Sequence, residues 1–226
     1  MSTIHFLECS NPNCAFRFPL DLSQFKGLIC PRCGAALIDS TSQADQWEPR
    51  WTPRSSLDFV GVLDNVRSAH NVGSIFRTAE GIGMSRLYLC GLSPSPKGNS
   101  AVAKAALGAE NRLEWLEETN APRLVARLKA DGYQIIVLEA LAQAETIFSI
   151  NESRLKENNK IALVVGNEPA GVDPAVIALA DQILFIPMAG MKSSLNVSVA
   201  FGITAYTLLS KIAAFQWAVC NRLTFT

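Results

Sequence analysis

Apolar positions along the chain fall into two alternating kinds of run. Short continuous runs rich in Val, Ile and Leu read as buried strands over 57–66, 86–90, 112–116, 133–138, 160–165 and 183–186. Between them, apolar residues at helical spacing predict helices over 72–80, 101–107 and 122–130. A last helix carries Val197, Phe201, Thr204 and Leu208 as its buried stripe. The repeated strand–helix order predicts an α/β fold with a mostly parallel sheet covered on both faces.

Polar punctuation sets the boundaries. Asn71 is read as the N-cap of the helix over 72–80, Gly81 or Gly83 as its stop, and His70 as a loop residue before it. Pro187 lacks an N–H and ends the strand over 183–186. The loop over 188–193 contains Gly190, and Ser193 or Ser194 is read as the cap of the last helix, with Asn196 inside its first turn. The strand over 160–165 runs straight into Gly166-Asn167-Glu168-Pro169-Ala170-Gly171-Val172. Turn geometry alone accounts for the two glycines but not for the Asn and Glu between them. A strand, a glycine-bearing loop and a polar helix start form a ligand-binding edge of an α/β sheet.

With 226 residues, 49% of them hydrophobic, the chain has material for one medium domain and a small appendage. Its formal net charge of zero removes the overall basic signature of a nucleic-acid binder, so any grip on RNA must be local or assembled across subunits. The first residues lack the pattern of a secretory signal, and the longest apolar run falls short of a membrane span, which predicts a cytoplasmic protein with no membrane partner. No GxGxxG follows the first strand, and GxSxG, GxxxxGK[ST] and HExxH are missing.

Cys9, Cys14, Cys30 and Cys33 form two close pairs separated by a spacer. That spacing suits a tetrahedral zinc ion with a structural role, since four thiolates leave no position for water. Disulfides are the rival reading, disfavoured in a reducing cytosol. The spacer itself reads as a short hairpin. Cys90 and Cys220 read as small buried hydrophobes. Three segments follow: a zinc-ribbon-like module over 1–40, a linker over 41–56, and a main domain over 57–226. In the linker, Trp47 and Trp51 alternate with Arg50 and Arg54; they either staple it to the main domain or stack on unpaired bases.

Three pieces, NVGSIFRTA, VVGNEPAGV and IPMAGMKSSLNVSVAFG, together resemble the three motifs of the SpoU/TrmH-like RNA methyltransferases of the SPOUT superfamily. The resemblance covers 57 to about 211. It implies a trefoil knot at the C-terminal part of the sheet, a homodimer, bound S-adenosylmethionine, and a 2′-O-methylated ribose in tRNA or rRNA as product. It places the cofactor against Val165, Gly166, Asn167, Glu168, Gly171, Ile186, Met188, Ser194 and Leu195. It assigns the reacting edge to Asn71, Arg77, Glu168, Ser194 and Asn196. Methyl transfer is an in-line displacement, so the protein must place the hydroxyl and stabilise the charge growing on its oxygen. Arginine side chains stay protonated, which favours Arg77 as a phosphate anchor and alkoxide stabiliser, acting either in its own protomer or in the partner's. The bland reading of Arg77 is a solvated helix arginine. Base methylation by the same fold, and an RNA-binding protein without catalysis, remain the alternatives.

Overall fold

The computed structural model describes residues 4–25, 27–42, 57–150 and 160–212. The linker residues Trp47, Arg50, Trp51 and Arg54, and Cys220, lie outside them. The chain divides into two compact units, Met1–Arg50 and Trp51–Thr226.

The first unit is a three-stranded antiparallel sheet. β1 (Ile4–Cys9) pairs with both β2 (Arg17–Asp21) and β3 (Leu37–Ser42). The hairpin therefore spans the first cysteine pair, not the spacer after it. Alternation explains the difference: Leu7 and Cys9 turn inward together with Phe18, which pairs Leu7, so the apolar period of β1 selects β2 as its neighbour. The spacer beyond β2 supplies only an isolated bridge between Ile29 and Ala36.

Among the described residues the second unit holds seven strands, all parallel, in the order β6-β5-β4-β9-β7-β10-β8. In chain order they are β4 (Asp58–Asp64), β5 (Arg86–Cys90), β6 (Glu114–Glu118), β7 (Gln134–Leu138), β8 (Glu145–Thr146), β9 (Lys160–Val165) and β10 (Gln182–Phe185). The described helices are α1 (Ala69–Gly81), α2 (Ser100–Ala106), α3 (Ala121–Ala130), α4 (Pro174–Ile177) and α5 (Val197–Lys211). No described helix is long and apolar enough to cross a membrane.

Both faces of the central strands are buried, as the unbroken apolar runs require. Phe59 and Leu63 of β4 and Leu163 of β9 face the α1–α5 side, where Ile75, Phe76, Phe201 and Leu208 pack. Val60, Val62 and Val164 face the α3–α4 side, against Leu124, Val125 and Val176. Gly61 lets this packing close: a Cβ there would stand 2.5 Å from Leu87 and 3.4 Å from the Phe201 ring. Gly73 does the same between α1 and α2, where a Cβ would meet the Val102 carbonyl oxygen at 2.6 Å.

Two helix starts differ from expectation. Ser68, not Asn71, caps α1; its hydroxyl accepts the Asn71 N–H at 3.3 Å, so His70 lies in the first turn of the helix. Asn196, not Ser193 or Ser194, caps α5, accepting from Ser198 N at 2.9 Å and Val199 N at 3.4 Å.

Candidate active site

In a parallel sheet the loops after the strands share one edge, and here side chains bind four of them together. Asn65, at φ 58°, accepts the Leu92 N–H through its side-chain oxygen at 3.0 Å and the Asn167 side-chain amide through its carbonyl at 2.7 Å. Those contacts join the loops after β4, β5 and β9. Asp64 accepts from the Asp173 N–H at 2.8 Å. Burial lifts the Asp64 pKa, the Asp173 N–H and the Asn65 amide oppose that, and the charge of Asp173 adds to it.

The loop after β9 is a tight turn. Asn167 and Gly171 exchange backbone hydrogen bonds of 3.0 and 2.8 Å, and the Asn167 side chain accepts the Ala170 N–H. Gly166 has no room for a side chain, because a Cβ would lie 2.3 Å from the Gly171 carbonyl carbon. Gly171 itself sits at φ 74°. The turn directs Glu168 toward the start of α1. Its carboxylate accepts the Arg67 N–H at 3.0 Å, the Ser68 N–H at 3.1 Å and the Asn71 Nδ2 at 2.9 Å. Burial raises its pKa, but those donors outweigh it and hold the carboxyl below its ordinary range. A negative group at the N-terminal end of a helix is also favoured by the aligned peptide dipoles.

The loop after β10 closes the circuit. Asn196 donates from Nδ2 to Asn71 Oδ1 at 3.0 Å. Asn71 thus accepts from Asn196 and donates to Glu168, which fixes the orientation of its amide. The residues of the three sequence motifs meet here: α1 supplies Asn71, the β9 loop Glu168, and the β10 loop Asn196.

Beside this cluster lies a cavity of about 690 Å³. The end of β9 and its loop line it with Val165, Gly166, Asn167, Glu168 and Gly171; the β10 loop adds Ile186, Met188, Ser194, Leu195 and Asn196. Every residue singled out in the sequence for the cofactor is on this lining. Asn71 stands behind it, bonded to two lining residues. Arg77 is apart: it is exposed on α1, outside the lining, and has no partner among the described residues. Glu139, which the sequence reading passed over, also lines the cavity. Its position directly after an apolar strand, on the ligand-binding edge, is the signal that marks it.

In the first unit, the four sulfurs of Cys9, Cys14, Cys30 and Cys33 lie within 4.8 Å of one another. Cys9 and Cys33 are 3.4 Å apart, Cys14 and Cys30 3.9 Å. Zinc–sulfur bonds of about 2.3 Å in a tetrahedron put sulfurs about 3.8 Å apart, so the donor set fits that ion. A disulfide needs about 2.05 Å, and these cysteines are free. As thiols they differ: burial first, then neighbouring thiols, push Cys9 up to about 12, while at Cys30 burial is outweighed by the N–H groups of Arg32 and Cys33, which lower it to about 7. Cys90 is buried in the second unit, where burial, with the nearby carboxylates of Asp64 and Glu118, pushes its thiol up to about 12.

Residues 58–206 match the family model described as SpoU rRNA Methylase family. A tRNA (guanosine(18)-2′-O)-methyltransferase of Aquifex aeolicus is 32% identical over 151 residues, covering 66% of this chain and 67% of that protein. A putative TrmH family tRNA/rRNA methyltransferase of Staphylococcus aureus is 30% identical over 184 residues, covering 78% and 69%. Among solved structures, the A. aeolicus TrmH/SpoU tRNA modifying enzyme superposes with a TM-score of 0.60 at 29% identity, over 70% of this chain and 77% of that one. An AdoMet-bound rRNA methyltransferase from Sinorhizobium meliloti shares the fold at a TM-score of 0.61 and 24% identity, over 77% and 64%.

Proposed function

The chain belongs to the SpoU rRNA methylase family, and from that premise we propose that it transfers a methyl group from S-adenosylmethionine to a ribose 2′-hydroxyl of tRNA or rRNA. The observation that carries the reading is the meeting of Asn71, Glu168 and Asn196 at the rim of a cavity walled by two loops. The relatives support it: one is named for guanosine 2′-O-methylation of tRNA, and a neighbour of the same fold holds AdoMet.

The cavity suits the donor. Its volume falls within the roughly 300–1,000 Å³ of small-molecule sites, and Leu138, Val165 and Ile186 give an apolar bed for a purine beside exposed backbone groups. When bound, S-adenosylmethionine supplies an electrophilic methyl on a sulfonium. The chain's task is then to hold an RNA hydroxyl in line with that methyl and to stabilise the oxygen as it gains charge. Glu168, held as a carboxylate by three donors, is a weak base and serves as the brace for Asn71. Asn71 in turn sets Asn196, and Ser194 stands on the same loop with its hydroxyl exposed.

Arg77 fits the reading as a residue given to a second copy. α5 exposes Val199 (49%), Ile203 (37%) and Tyr206 (48%) along one stripe, more apolar surface than a solvated helix carries. The Tyr206 hydroxyl lies 3.8 Å from where a Cβ of Gly81 would be, and Gly81 is one turn beyond Arg77 on α1. A homodimer that covers this stripe brings Arg77 to the seam. The trefoil knot and a cytoplasmic location belong to the same reading.

The cysteine cluster holds a structural zinc in this proposal. In that unit Arg17 bonds Glu8 at 2.9 Å, while Arg32 is exposed. The deciding assay combines purified protein, tritiated S-adenosylmethionine and total RNA, followed by alkaline hydrolysis. Label in alkali-resistant dinucleotides supports ribose methylation; label in modified mononucleotides points to base methylation, and no transfer overturns the reading.

A further inference from the structure

Among the described residues, Glu139 is the one carboxylate on the cavity lining that the cluster around Asn71 does not engage. It follows β7 directly, and its own N–H is held by the Leu184 carbonyl of β10 at 2.9 Å. Its carboxylate accepts the Val172 N–H at 3.0 Å and the Ala140 N–H at 3.2 Å. A carboxylate has about four acceptor directions, so capacity remains. The opposite loop makes room for it: a Cβ on Gly171 would stand 2.6 Å from Glu139 Oε2. A half-buried carboxylate is thus built into the wall, between the loop after β9 and the strand β10.

We propose that Glu139 accepts hydrogen bonds from the vicinal ribose hydroxyls of the methyl donor, rather than pairing with its amino-acid end. The inference rests on the reading that this cavity takes S-adenosylmethionine. The order of groups across the sheet carries it. The reacting cluster of Asn71 and Glu168 sits over β4 and β9. The next strands are β7 and then β10, each about 4.8 Å further on. Leu138, Phe185 and Ile186, at the ends of β7 and β10, form the apolar bed on that side. With the sulfonium at the cluster and the adenine on that bed, the ribose that joins them falls over β7, where Glu139 stands. The amino-acid arm leaves the sulfur on its other side. A carboxylate at a strand end receiving a ribose diol is a solution that dinucleotide-binding sheets also use, though this chain lacks their glycine motif.

The experiment is calorimetric titration of the full chain with S-adenosylhomocysteine and its 2′-deoxy and 3′-deoxy analogues. Wild type is expected to bind the deoxy analogues roughly 10- to 100-fold more weakly than the parent. Glu139→Ala should weaken the parent by a similar factor and bind all three ligands within about threefold of one another. Glu139→Gln keeps an acceptor for the Val172 N–H, so it isolates the ligand contact if the alanine variant folds poorly; it should discriminate less than wild type. Retained wild-type discrimination in both variants overturns the proposal. An equal loss for all three ligands, with wild type indifferent to the hydroxyls, also overturns it and assigns Glu139 to the cationic end or to the loop alone. Failure of wild type to bind the parent ligand overturns the underlying reading as well.

Discussion

The side-chain amide of Asn196 donates to the side-chain oxygen of Asn71 at 3.0 Å, joining positions 125 residues apart. Asn71 passes the connection to Glu168 at 2.9 Å. Helix α1 and two loops are thereby held by one amide. Asn71→Ala removes both bonds and leaves the Asn196 amide without this acceptor. The expected cost is about 1–3 kcal/mol of stability and a fall in methyl transfer well beyond what that loss explains. Thermal melts and tritium transfer on the same preparation check it; normal turnover with a lowered Tm confines Asn71 to structure.

Glu168 gives the site a pH dependence of known sign. Its folded pKa lies below the ordinary value of 4.5, so its contribution is complete above that value. The contribution is lost as pH falls through the lower, folded pKa. Glu168→Gln should be less stable than wild type at pH 7, with the difference shrinking toward strongly acid pH. Urea titrations between pH 3 and 7 measure this; curves that run parallel contradict the assignment.

Arg77 stands clear of its own cavity. Arg77→Ala is expected to bind S-adenosylhomocysteine like wild type while losing on the order of a hundredfold in turnover. Mixing inactive Arg77→Ala and Asn196→Ala subunits should restore part of the activity, because one site of the mixed dimer keeps both residues. A flat mixing curve would place Arg77 in its own protomer's site.

The four-sulfur cluster should carry one zinc per chain, read by elemental analysis. Removing it with a strong chelator, or replacing Cys30 with Ser, is expected to unfold the first unit, whose small core centres on Leu7, Cys9, Cys30 and Leu37. Circular dichroism of the chelated protein follows the loss; metal-free protein with an unchanged spectrum rejects a structural metal.

Gly166→Ala tests the turn that faces the cavity. Its methyl group would sit 2.3 Å from backbone of Gly171, and backbone cannot yield as a flexible side chain does. Overpacking costs about 1–3 kcal/mol, and the variant should lose donor affinity more than it loses Tm.

Much of this was legible in the residues. The strand over 160–165 coincides with β9, because a run buried on both faces is bounded by Lys160 and Gly166. The two asparagines exchange the roles that local sequence suggests: Asn71 reads as a cap and is a bridge, while Asn196 reads as a helical residue and is the cap. Local propensity favours both residues at helix starts and cannot register partners a hundred positions away. α4, a helix of four residues, is too short to show a period. β8, two residues long, shows none either. Glu139 carries a weak local signal, its place directly after the β7 strand; its pairing with the Gly171 turn across the edge is not legible in the residues.

The insertion of β9 between β4 and β7 has a consequence for biosynthesis. A nascent chain leaves the ribosome amino end first, so β4, β5, β6 and β7 all emerge before residues 160–165. β4 and β7 do not pair with each other; β4 waits with one hydrogen-bonding edge open, and β7 with both, since β10 follows β9. Such edges recruit foreign strands. The central seam of this protein is therefore closed late, with α4, β10 and α5 still to follow, and those edges stay exposed until residues 160–165 and then β10 have left the ribosome.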